Sequence, residues 1–162
     1  MNPWMNKFEI KMIKEYIKPN GIMLEWGSGG STFEFPKLVK EYYSIEHDEG
    51  WYNKISTHSN FPKNVKYFHV PSDLPRSHPV KPEEMVTYIN YPSIFNKRFD
   101  NVLVDGRARL WCAENILPYL HEDSIVFIHD FWPRKHYHGV FEWYDVVDKI
   151  ELKPSLVVLK KK

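Results

Sequence analysis

The sequence predicts an α/β domain built on a doubly wound, mostly parallel sheet, with helices on both faces and a C-terminal antiparallel hairpin. Three observations carry this reading. Five short apolar runs alternate with helical or Pro/Gly-punctuated stretches, the first run is followed at once by a glycine turn and a helix start, and two last apolar runs flank Lys153-Pro154.

Met5, Phe8, Met12 and Tyr16, joined by Ile13 and Ile17, repeat at helical spacing, and Pro19-Asn20-Gly21 stops that helix. Ile22 to Trp26 is the first strand. Gly27-Ser28-Gly29-Gly30 turns the chain, and Ser31-Thr32 can cap a second helix. Tyr42 to Glu46 and Val65 to Val70 read as strands around a helical piece at Trp51 to Ser56. From Pro71 to Lys97 five prolines dissolve the pattern into a stretch too long for a plain connector, the kind that often carries function. Asn101 to Val104 is a strand ending at Asp105-Gly106, Ala108 to Leu120 a helix, and Ser124 to Ile128 a strand ending at His129-Asp130. Val146 to Ile150 and Leu156 to Leu159 form the closing hairpin, which puts an antiparallel strand at the sheet edge.

Composition narrows the function classes. The chain has 162 residues, 43% hydrophobic and 27% charged, which fits one globular domain over residues 1–162 and excludes a disordered or collagenous chain. Its 22 basic against 21 acidic residues give a net charge of +1, with only the solvated Lys160 to Lys162 as a basic run, so a nucleic-acid partner is not expected. A single cysteine, Cys112, excludes an internal disulfide and suits a reducing compartment. Charged residues interrupt the N-terminal apolar runs and no stretch approaches a membrane span, so the expectation is a soluble cytoplasmic protein with no membrane partner. Oligomeric state is open.

In doubly wound sheets, ligands bind outside the carboxyl ends of the strands, so chemistry is sought at Glu25 to Gly30, Glu46, Pro71 to Asp73, Asp105 and His129-Asp130. Glycines in the first turn let backbone approach a ligand closely. Glu46, at the end of the second strand, stands where a carboxylate accepts both hydroxyls of a ribose, roughly 20 residues past the glycine turn. Thr32 occupies the position where the nicotinamide fingerprint needs its third glycine, and no Lys follows in P-loop register.

What remains, an acid two residues before a Gly-x-Gly turn and a second acid closing strand two, resembles the first motif of class I S-adenosylmethionine-dependent methyltransferases, a Rossmann-like family, and the resemblance covers nearly the whole chain. It implies that Glu25 lies near the cofactor's methionine amino group, that Gly27, Ser28 and Gly29 pass beneath it, that Ser31 bonds its carboxylate and that Glu46 holds the ribose. His47 and Asp73 would flank the adenine, or be a loop histidine and a turn carboxylate.

Asp105, His129 and Asp130 converge at neighbouring strand ends, where they could bind Mg²⁺ or Mn²⁺ or take a proton. Catechol-type O-methyltransferases place an Asp and an Asp-Asn pair at these strand ends around magnesium. Here His129 and Asp130 replace that pair, and Ala108 stands where the family has its base Lys. Asp105-Gly106-Arg107 and Ile128 to Arg134, with His136 and Tyr137, also resemble glucuronoxylan-type O-methyltransferases and methyltransferase domains of large algal viruses. That resemblance implies a sugar or glycan hydroxyl as acceptor, or another small molecule, met by Arg107, Trp132, Arg134 and His136. For Trp132 and Tyr137 ordinary packing is the favoured reading. Arg109 is expected in a surface ion pair, and His129, His136 and His138 lack the Cys or Glu that would complete a zinc spacing. The sequence thus points to an S-adenosylmethionine-dependent O-methyltransferase with Asp105, His129 or Asp130 as the base. The alternative is a catalytically degenerate Rossmann-like interaction module in a glycan-synthesis assembly.

Overall fold

The computed structural model describes residues 1–162. A single seven-stranded sheet runs in the order β3-β2-β1-β4-β5-β7-β6. Its strands are β1 (Ile22–Trp26), β2 (Glu41–Glu46), β3 (Val65–His69), β4 (Phe99–Val104), β5 (Leu120–His129), β6 (Tyr144–Ile150) and β7 (Leu156–Lys161). The first five pair in parallel, while β7 pairs antiparallel with both β5 and β6. The predicted fold class holds, with one shift: the antiparallel strand lies one place in from the edge. Leu156, Val157, Val158 and Leu159 are all fully buried, whereas Val146 and Val147 of β6 are exposed, so the more apolar strand takes the inner position. Each of those side chains contributes about 1.5–3 kcal/mol there relative to exposure.

Helices cover both faces. α1 (Lys7–Tyr16) packs on one, where Met5, Ile13 and Ile17 meet Met23, Leu103 and Phe127. On the other, α4 (Val86–Asn90) and α5 (Arg109–Asn115) bring Tyr88, Ile89, Cys112 and Ala113 against Trp26, Val102 and Val126. Short helices α2 (Ser31–Glu34) and α3 (Glu49–Ser56) follow β1 and β2.

Two local expectations are corrected. The buried stripe of α1 is Met5, Glu9, Ile13 and Ile17, four residues apart, while Phe8 is 63% exposed. A carboxylate rather than an aromatic ring faces inward because Glu9 has a charged partner below it. The Pro71 to Lys97 stretch is not plain loop: it holds 3-10 turns at Pro82–Glu84 and Tyr91–Phe95 around α4, organised by Glu84, which accepts from the backbone N–H groups of Ser77 and Lys81. The helix expected up to Leu120 ends at Asn115. A 3-10 turn at Leu117–Tyr119 replaces its last turn, because Pro118 cannot continue the ladder.

Candidate active site

Two turns meet at the carboxyl end of the sheet. Gly27 follows β1 with φ +87°, and a Cβ there would stand 2.5 Å from the backbone of Gly106, which follows β4. A Cβ on Gly106 would in turn meet Tyr88 Oη at 2.1 Å. Gly27 requires glycine for conformation and close approach, Gly106 for close approach alone. A Cβ on Gly29, by contrast, would meet nothing within 4 Å, so the turn faces open space at that residue.

That space is a cleft of about 600 Å³. Its floor is Gly27 to Ser31, its far wall Glu46, His47 and Trp51, and its near wall Asp105 and Asp130. Glu46 Oε2 accepts from the backbone N–H of Ser28 at 3.0 Å and from Ser28 Oγ at 2.9 Å, and Oε1 accepts from the N–H groups of His47 and Asp48 at 2.8 and 2.9 Å. Burial works to raise its pKa, yet these donors and the His47 ring outweigh burial and hold it below the usual carboxylate value. Trp51 Nε1–H donates to Ser28 O at 2.7 Å, fixing the indole beside the turn.

Glu25 is elsewhere. It lies beneath the turn, fully buried, and accepts from the hydroxyls of Ser31, Thr32 (2.8 Å) and Ser44 (2.7 Å). Burial pushes its pKa up to about 7 against these bonds. Its position suits bracing the turn from below rather than touching a ligand in the cleft. Asp73 is also off the cleft, bound to Thr87 N–H and Oγ1 at 2.9 and 2.6 Å.

The convergence of Asp105, His129 and Asp130 is present, but His129 is engaged on both sides. Its Nδ1 is 2.9 Å from Asp105 Oδ1 and its Nε2 is 3.3 Å from Glu9 Oε1. Burial opposes its charge, yet hydrogen bonds to the two carboxylates win and raise its pKa to about 10. Held between two carboxylates with its pKa raised, His129 is poorly suited to act as a base or a metal ligand, since both roles need a free nitrogen lone pair. No group of three or more His, Cys, Asp or Glu residues is arranged to hold a metal ion, so the residues do not fit the Mg²⁺ or Mn²⁺ expectation. Asp130 is freer. It is 38% exposed at its side chain, 3.9 Å from His129 Nδ1 and 3.7 Å from Arg134, and it adopts φ +51°. A non-glycine residue in that region marks strain retained at a strand end.

Arg109 is corrected from a surface pair to a buried tie. Its guanidinium donates to Gly106 O at 2.9 Å and to His129 O, and lies 3.5 Å from Asp105. Beside it lies a second cleft of about 550 Å³, which shares Arg107 and Arg109 with the first. Arg134, His136 and Tyr137 line this second space. Trp132 does not: its Nε1–H donates to Leu156 O at 3.1 Å and its ring packs on Phe131.

Sequence reasoning missed the N-terminal segment. Pro3, Trp4 and Met5 form part of the first cleft's wall, a Cβ on Gly30 would meet the backbone of Asn2 at 2.0 Å, and the Trp4 ring lies 5.7 Å from that of Trp51. The one local signal was the Asn6-x-x-Glu9 pattern, which forms a complete capping box.

No family model matches the sequence, and no curated protein matches it. Solved structures do. A methyltransferase-like protein from Silicibacter pomeroyi superimposes with a TM-score of 0.66 at 22% identity over 99% of this chain and 88% of its own. A candidate caffeoyl-CoA O-methyltransferase from Staphylococcus aureus gives 0.66 at 14% identity, over 99% and 86% of the two chains. A candidate methyltransferase from Streptococcus mutans, in complex with S-adenosylhomocysteine (SAH), gives 0.66 at 14% identity over 100% of both. These likenesses establish the fold, a Rossmann-like methyltransferase fold with antiparallel C-terminal strands.

Proposed function

We propose that the protein is an S-adenosylmethionine-dependent O-methyltransferase acting on a hydroxyl, with a sugar or glycan as acceptor. The observation that carries this reading is a pair of adjoining clefts that share Arg107 and Arg109, the first lined by the Gly27 to Ser31 turn, Glu46, Asp105 and Asp130, the second by arginines and aromatic rings. That the Streptococcus mutans structure holds SAH on the same fold supports the choice of cofactor.

The first cleft fits such a group. The open side of Gly29 leaves room where a side chain would otherwise stand, and a volume of this size suits a nucleoside-sized ligand. Bound there, S-adenosylmethionine supplies an electrophilic methyl group. The chain's own residues align and deprotonate the acceptor. Asp130, accessible and not directly hydrogen-bonded to another side chain, takes the hydroxyl proton as the oxygen attacks. Asp105 is tied to His129 and Arg109 and so is less available to the acceptor. His129 lies 2.9 Å from Asp105 and 3.9 Å from Asp130, and Arg109 lies 3.5 Å from Asp105, so positive charge stands behind the pair of carboxylates. Orientation along the cleft supplies much of the remaining rate gain.

A second reading, the degenerate module, is favoured by two observations: four internal donors already fill both oxygens of Glu46, and Glu25 is buried beneath the turn with its oxygens taken by Ser31, Thr32 and Ser44. Calorimetric titration with SAH separates the two. Micromolar binding, lost in Glu46→Ala and absent with NAD, is the outcome expected of the enzyme. No binding to the wild type would leave the module reading standing.

A further inference from the structure

The second cleft is unusual in its charge. Its walls carry five basic side chains, His78, Arg107, Arg109, Arg134 and His136, and no acidic one. Their availability differs. Arg109 is spent on Gly106 O, His129 O and Asp105. Arg134 lies 3.7 Å from Asp130 and donates to Tyr137 Oη at 3.3 Å, which leaves part of its fork open. Arg107 is exposed and joins no ion pair. The field of this cluster is felt inside it: burial first, then the positive charge of Arg134, His78 and Arg109, holds the His136 pKa below its ordinary value.

Guanidinium groups lining a concave site, with Arg107 free of any carboxylate and Arg134 only 3.7 Å from one, suit an oxyanion, which they meet with paired N–H donors. One carboxylate would offset only one of these charges. A phosphate dianion matches Arg107 together with the open part of Arg134, and neutral His136 adds a donor without a further charge. Val80, Leu110 and Trp111 supply apolar walls for the carbon frame of such a ligand.

We propose that the acceptor is a phosphorylated hydroxy compound of the sugar-phosphate type, its phosphate seated among Arg107, Arg134 and His136 and its free hydroxyl extending past Arg109 to Asp130. The proposal rests on the O-methyltransferase reading for the role of that hydroxyl, but the phosphate seat can be judged separately.

The test titrates inorganic phosphate, glucose 6-phosphate, glucuronate and glucose into the full chain, with and without saturating SAH. Saturable binding of glucose 6-phosphate, with glucose silent and glucuronate at least tenfold weaker, is expected. Arg134→Gln should weaken it at least tenfold. Arg107→Gln, on an exposed side chain that the fold does not use, should weaken it severalfold, which keeps the test decisive even if Arg134→Gln misfolds. Absence of saturable phosphate binding, binding unchanged in Arg107→Gln and Arg134→Gln, or tighter binding of glucuronate would each overturn the phosphate seat. If SAH fails to bind while glucose 6-phosphate does, the seat stands and the methyltransferase reading falls.

Discussion

Glu9 Oε1 faces His129 Nε2 at 3.3 Å as an ion pair, and neither atom makes a hydrogen bond. The contact joins the first turn of α1 to the end of β5, so the N-terminal segment that walls the first cleft is anchored on the same residue that braces Asp105. A buried ion pair of this kind adds little over an apolar substitute, but removing one partner strands the other's charge.

Glu9→Gln is therefore expected to destabilise the fold by about 3 kcal/mol, within the range for breaking a buried pair. The pH dependence has a definite sign. The folded pKa of His129, about 10, lies above its ordinary 6.5, so its contribution is full below about pH 6.5 and is lost as pH rises through about 10. Urea unfolding from pH 6 to 10.5 checks this: wild-type stability should fall across the interval and the variant should fall less. Equal slopes would remove the pair from the account.

The glycine turn separates structural from ligand-facing positions. Gly27→Ala forces a side chain onto the Gly106 backbone at φ +87° and should cost about 2 kcal/mol or more of stability. Gly29→Ala meets nothing in the fold and should leave stability within about 0.5 kcal/mol. In the cofactor reading it nonetheless fills the cradle, so SAH affinity should fall at least tenfold. Thermal melts and calorimetry on the two variants distinguish these outcomes, and a Gly29→Ala protein that binds SAH like the wild type would place the ligand elsewhere.

Much of this was legible in the chain because the signals were local. Apolar runs ending in Glu46, Asp105 and His129-Asp130 mark strand ends, and Gly27 and Gly29 mark the turn, so the sheet and the convergence of three polar residues follow from periodicity. What escaped depends on contacts remote in sequence. Glu9 reads as an ordinary capping acid, and only packing of α1 over β5 shows its second partner. Arg109 looks like a surface charge until the turn after β4 draws it inward to His129 O. Trp132 and Asp73 stood in suggestive segments, yet their hydrogen bonds to Leu156 O and Thr87 assign them to packing and to a loop.

Chelation tests the metal expectation directly. Because both nitrogens of His129 face carboxylates and no three suitable side chains are arranged around an ion, methyl transfer should be unchanged after treatment with EDTA. Activity lost on chelation and restored by Mg²⁺ or Mn²⁺ would show that the pair with Glu9 opens to admit an ion.

Asp130 supplies the sharpest test of the chemistry, since its backbone and its side chain make opposite demands. At φ +51° an aspartate is strained by about 1 kcal/mol, which glycine relieves. Its N–H bond to Ser155 O, at 2.7 Å, uses only the main chain and survives the change. Asp130→Gly should therefore raise stability by about 0.5–1 kcal/mol, while turnover falls at least a hundredfold if the carboxylate takes the acceptor's proton. Asp130→Asn keeps the strain and should lose turnover alike, with SAH affinity retained in both. A stabilised Asp130→Gly protein with full activity would transfer the base role to Asp105, and a destabilised one would mean that the Asp130 side chain serves the fold rather than the reaction.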